Sequence, residues 1–170
     1  MTIEMSREIG VVLRRRVIDN PWIDHIWSPV TILEQVPATA PWTVLSQEAD
    51  ATMYYAGCAS IDLFSTDTAN YRDNLADGAP WIWVALRRQD GGSELELTKV
   101  TADPTEGEAM FESGTDVIGT VPMPLVIASW IAAFVDEFHV EQVFHKRKRD
   151  RANVDPRKGG DPSHTRKNGA

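Results

Sequence analysis

The sequence predicts an α+β domain: a mainly antiparallel sheet of about five strands, with two short helices and a C-terminal apolar helix packed on it, followed by a disordered basic tail. Three observations lead there. β-rich runs alternate with turn residues, most clearly in "WIWVALRRQDGGSELELTKVT" (81–101), where Asp90-Gly91-Gly92 forms the turn of a hairpin. Two short helical windows carry their own capping residues. The run from Leu125 to Val135, almost free of polar residues, starts after a proline pair.

In chain order, "EIGVVLRRRVI" (8–18), rich in Val and Ile, reads as the first strand. Pro21, Pro29 and Pro37 forbid a long helix in the next stretch and leave short extended pieces, the best being Val30–Val36. "ATMYYAGCASIDLF" (51–64) reads as a strand from its aromatic and β-branched content and Gly57. A short surface helix follows over 67–77, with Ser65, Thr66 or Asp67 as N-cap, Tyr71 and Leu75 at i and i+4, and Gly78 as the stop.

In the hairpin, Arg87 and Arg88 lie close to Glu94 and Glu96 across the turn, as a stabilising cross-strand pairing. Asp103 caps a helix over 104–113, with Pro104 at its first position, Glu106 three residues after the cap and Gly114 at its end. After an extended "TDVIGTV", a helix runs from Pro124 to His139. It spans about 22 Å at 1.5 Å per residue, too short for a hydrocarbon core of about 30 Å. Two readings follow: a helix buried against the sheet and covered on its far side, which is the simpler one, or a helix whose outer face, including Met123 and Trp130, is left for a second copy or another protein.

The formal net charge is −8. Its distribution is uneven, because residues 145–170 hold nine Lys/Arg and three Asp, while residues 1–144 hold eight Lys/Arg and twenty-two Asp/Glu. The chain therefore divides into an acidic domain, 1–144, and a basic tail, 145–170. Lys146, Arg147, Lys148, Arg149 and Arg151 form the dense part of that tail. They suit a solvated tail or a clamp onto the acidic body first, an acidic protein partner second and nucleic acid last, since the body repels a polyanion.

No catalytic signature emerges. Cys58, inside an apolar strand, reads as a buried inert thiol, and a single cysteine with no visible export signal suggests a cytoplasmic protein. Asp24-His25 between Trp22 and Trp27 reads as packing with a polar handle. His139 and His145 lack companions with metal-ligand spacing, and no glycine-rich loop follows a strand, so no metal or other cofactor is expected.

The segments "YRDNLADGAPWIWVALR", "VTADPTEGEAMFESGTDVIGTVPMP" and "FVDEFHVEQVFHKRKR", with an early "NPWIDHIWSPVTIL", resemble in their order the proteobacterial family called domain of unknown function 3305, over about residues 7–149. That family offers no catalytic residues to carry over. Its genes tend to lie beside those of molybdenum-containing formate dehydrogenases, a ferredoxin and an assembly chaperone, so the resemblance implies an accessory or maturation role.

The expected function is thus a non-catalytic cytoplasmic factor that binds a redox enzyme, formate dehydrogenase or its maturation proteins. Its contact surface would combine Pro122, Met123, Pro124 and Trp130 with Lys146, Arg147, Lys148, Arg149 and Arg151, and the 124–139 helix could pair two copies. The alternatives are a small enzyme or ligand binder with a pocket walled by Trp22, Trp27, Trp42, Trp81 and Trp83, and a nucleic-acid-associated regulator acting through the tail.

Overall fold

The computed structural model describes residues 5–89, 95–113 and 116–141. It is an α+β fold with antiparallel strands throughout, as the sequence predicts, but the strands divide between two sheets. β1 (Met5–Val17), β2 (His25–Leu33), β3 (Thr43–Gln47) and β4 (Ala51–Leu63) form the first, in the order β2-β1-β4-β3. A 3-10 turn at Ser65–Asp67 leads into α1 (Thr68–Ala76). β5 (Trp81–Arg88), β6 (Leu95–Thr101) and β7 (Asp116–Pro122) form the second sheet, in the order β6-β5-β7, with α2 (Pro104–Glu112) between β6 and β7 and α3 (Leu125–Phe138) after them. These elements lie in one compact unit, Met1–Val140.

Alternation along β1 explains the core. Ile9, Val11 and Leu13 are fully buried and share one cluster with Ile61 and Leu63 of β4, Ile82, Val84 and Leu86 of β5 and Val100 of β6. The two sheets touch along β2 against β7 and β4 against β6, which encloses that cluster. β2 starts and ends earlier than the predicted 30–36. It runs through Pro29 because it is the edge strand of its sheet, and its ladder with β1 shifts register beside that proline. β3 escapes sequence reading altogether. All five of its residues are exposed, so neither alternation nor an apolar run marks it.

β4 carries a bulge that changes which side chains face out. Val11 pairs with Gly57 and Val12 with Tyr55, so Ala56 is an extra residue, and Gly57 takes φ 120, a conformation that suits glycine. Beyond the bulge, Cys58, Ser60 and Asp62 pair with the residues of β1 that alternate with the core-facing ones.

The helix at 68–76 is seated more deeply than a surface helix. Tyr71 and Asn74 are 2% and 6% exposed. Asn74 donates through Nδ2 to the carbonyls of Trp81 (2.8 Å) and Ala102 (2.9 Å), and its Oδ1 accepts from the Trp81 N–H (3.0 Å), so one carboxamide ties α1 to the start of β5 and the end of β6. Asp103 caps α2 as expected, accepting from the Thr105 N–H at 2.8 Å, and its second oxygen accepts from Asn70 Nδ2 at 3.1 Å. Glu106 does not close a capping box; it pairs with Lys99 of β6. Arg87 lies directly opposite Glu96 as predicted, while Glu94 is outside the described residues.

Replacing Asn74 with Ala leaves the buried Ala102 carbonyl without this partner, at about 1–3 kcal/mol, and removes two part-buried bonds to Trp81, at roughly 0.5–1.5 kcal/mol each. Asn74→Ala should therefore lose at least about 2 kcal/mol in urea denaturation. Tyr71 makes a second prediction. Burial, reinforced by the negative charges of Asp67, Asp103 and Glu106 and opposed by the hydrogen bond its hydroxyl accepts from the Phe64 N–H, pushes its pKa up to about 12. A phenol held above its unfolded value near 10 contributes stability that is fully present below about pH 10 and is lost as pH rises through the folded value, here roughly 2–3 kcal/mol between pH 10 and 12. Stability measured against pH should fall over that window in the wild type relative to Tyr71→Phe.

Candidate partner-binding surface and aromatic groove

The approach to α3 is fixed at both ends. Pro122 pairs with Trp81 at the end of β7, the Met123 N–H donates to the Pro80 carbonyl at 2.8 Å, and Pro124 stands in extended conformation as the N-cap. Pro122 is exposed, but Met123 is 8% exposed and belongs to the core cluster, so the accessible residues of this approach are Pro122 and the first turn of the helix.

Ile127, Ile131, Phe134 and Val135 carry the helix's core stripe. Leu125 is 80% exposed and Val126 45% exposed, with Ser129 and Ala133 also open to solvent. The helix therefore departs from the simpler expectation of cover on its far side. Small residues, Ser129, Ala132 and Ala133, make up much of that side and offer little area to bury, so an apolar count overstates its need for cover. Trp130 is half-buried against the core, with the Arg7 guanidinium 5.9 Å from its ring centre. Lys146, Arg147, Lys148, Arg149 and Arg151 lie outside the described residues.

The far end of α3 is latched to α1. Arg72 Nη1 lies 2.9 Å from His139 Nε2, and His139 Nδ1 lies 3.0 Å from Thr68 Oγ1. Because arginine only donates, Nε2 accepts, and Nδ1 carries the proton it gives to Thr68. Thr68 in turn donates to the Ser65 carbonyl. This use of His139 joins two helices, and among the described residues no group of three His, Cys, Asp or Glu could hold a metal. His145 lies outside them.

The five tryptophans expected to wall one pocket are dispersed. Trp22 is 89% exposed, in the β1–β2 connection. Trp27 and Trp42 meet edge to face at 5.8 Å, with Tyr54 beside both and His25 edge-on to Trp27 at 5.8 Å. Thus His25 packs as predicted, but on Trp27 alone. Trp42 has φ 67 and is held there by its N–H bond to the Tyr55 carbonyl. Beside this cluster, Arg15 Nε and Trp27 Nε1, on residues paired across β1 and β2, are buried with no partner among the described residues. Trp81 and Trp83 lie on one face of β5, in an open groove of about 580 Å³ between α1 and the start of α2.

A second groove of about 340 Å³ runs between β4 and β6 and is lined by Cys58, Ser60, Asp62, Thr98, Lys99 and Glu106. Cys58 is exposed, which corrects the expectation of a buried thiol: the bulge at Ala56 reverses the alternation, so a residue flanked by apolar neighbours faces out. Near the starts of α1 and α2, burial and the neighbouring Asp103 and Glu106 carboxylates push the Asp67 pKa up, against a hydrogen bond from Thr66. That side of the molecule carries crowded negative charge. Among the described residues no helix is long and apolar enough to cross a membrane.

The exposed thiol yields a direct expectation: a maleimide reagent should modify one cysteine per native chain, at a rate that denaturant raises by no more than a few-fold. Protection that is lost only on unfolding would contradict the outward-facing register of β4.

No curated protein and no solved structure matches the chain. A family model described as a protein of unknown function, DUF3305, matches residues 8–148, from the first strand to beyond α3, and the chain therefore belongs to that family.

Proposed function

We propose that this protein is a non-catalytic cytoplasmic accessory factor that binds formate dehydrogenase or the proteins that mature it, through the exposed first turn of α3. The observation that carries the contact surface is the pairing of a satisfied core stripe with a bare outer turn. Ile127, Ile131, Phe134 and Val135 bury the helix, yet Leu125 and Val126 remain exposed beside Pro122, on a backbone that two prolines hold rigid. Apolar side chains carried on a backbone already fixed spare the cost of ordering that backbone on binding. The redox partner is supported by the gene neighbourhood that the family resemblance implies. The basic run from Lys146 to Arg151 would add a cationic charge that speeds encounter with an acidic partner.

Leu125→Glu with Val126→Glu separates contact from fold. Both positions are exposed, so denaturation should shift by about 0.5 kcal/mol or less. Tagged full-length protein from formate-grown cells should recover formate dehydrogenase subunits, and the double variant should recover at least tenfold less. If the wild type recovers none, the accessory reading fails; if the variant recovers as much, α3 is not the contact. A sizing run on both proteins reports whether the same turn instead joins two copies.

A further inference from the structure

Independently of that reading, we infer that the groove between α1 and the start of α2 binds an organic cation, an alkylammonium or guanidinium group, between the indoles of β5 and the carboxylates of α1. Its lining is Asp73, Asn74, Ala76, Asp77, Trp81, Trp83 and Pro104. At about 580 Å³ it lies within the range of small-ligand sites. Its charged residues are both acidic, which disfavours anions, and Trp81 is 39% exposed, presenting aromatic surface to an entering group. Two carboxylates with indole walls are a poor set for calcium or magnesium, which take six or more oxygen ligands. They suit a cation whose methylenes pack on indole while its charge meets carboxylate and the negative ring face.

Two features position the walls. The Asn74 carboxamide binds both the N–H and the carbonyl of Trp81, which fixes that residue's backbone against α1. Gly107 of α2 packs directly on the Trp83 ring, leaving no room for a Cβ there. Trp83 is 9% exposed and forms the inner wall.

The two carboxylates run against local helix stability. Asp73 and Asp77 are four residues apart on α1, an arrangement of like charges that destabilises a helix, and Asp77 stands at the C-cap, where the helix dipole opposes a negative charge. Both are exposed, and neither has an ion-pair partner among the described residues. Acidic groups that weaken their own helix and meet at an aromatic groove are explained by a ligand that neutralises them.

The cation could belong to a lysine or arginine side chain of another protein or to a free small amine, and the test distinguishes them. Full-length protein labelled with ¹⁵N is titrated with choline, with its neutral isostere 3,3-dimethylbutan-1-ol, and with N-acetyl-lysinamide and N-acetyl-argininamide, following the indole N–H signals of Trp81 and Trp83. The expected result is a saturable shift of Trp81 with a cationic probe at dissociation constants in the range of about 1–10 mM, at least tenfold tighter than the neutral isostere. Asp73→Asn with Asp77→Asn, which keeps shape and removes charge, should weaken it roughly tenfold without lowering the melting temperature. Preference for the amino-acid amides assigns the site to a side chain, and preference for choline to a free amine. Absence of any shift at about 50 mM, equal binding of the neutral isostere, or undiminished binding by the double variant overturns the inference.

Discussion

One buried carboxamide organises the part of the molecule that differs most from a plain pair of sheets. Asn74 binds three backbone groups where β5 begins and β6 ends, the buried Ala102 carbonyl among them, and in doing so it sets the position of α1. Tyr71, one turn earlier on the same helix, then reaches the core and meets the Phe134 ring of α3 at 6.2 Å. Thr68 and Arg72 hold the other end of α3 through His139. The placement of α3, and with it the exposed turn at Leu125, thus depends on a helix whose own local stability is poor.

The same constraint divides the protein's polar groups into two kinds. Asn70, Asn74, Thr68 and Asp103 are spent on joining elements, and their hydrogen-bonding capacity faces inward. Asp73 and Asp77, on the same helix, join nothing among the described residues and line a groove. A short helix this rich in polar residues gains its stability from tertiary contacts rather than propensity, so it tolerates the local cost of two like charges four residues apart. On α3 the division is between side chains of one chemical kind: the branched and aromatic residues face the core, while Leu125 and Val126 do not.

Much of the fold was legible locally. The Asp103 cap of α2, the glycine at Gly78 after α1, the pairing of β5 with β6 with Arg87 opposite Glu96, and the helix after Pro124 are encoded by neighbouring residues, because capping and cross-strand pairing act over a few positions, whereas Asp67 precedes α1 without a side-chain cap bond, and the expected turn at Asp90-Gly91-Gly92 and stop at Gly114 lie outside the described residues. The candidate sites were less legible. Pro122 and the helix start were anticipated as a surface, but Met123 turned inward, and the tryptophans expected together ended in separate places. Nothing in the sequence singles out Asp73 and Asp77. Their i, i+4 spacing is visible in "YRDNLADG", yet only the position of Trp81 beside them gives it chemical meaning.

Apart from β3, the sequence by itself determined the element types and their order, together with the antiparallel α+β class and the family, since each follows from periodicity, local breakers or residues read in line. Tertiary structure decided the division into two sheets, the outward turn of Cys58, the cover over α1 and the meeting of carboxylates with indoles. The physical reason is that these depend on register and contact between residues far apart in the chain. A single bulged residue at Ala56 reverses which side chains face solvent, and one carboxamide at Asn74 brings residues 70–77 to residues 81 and 102, distances that no local pattern records.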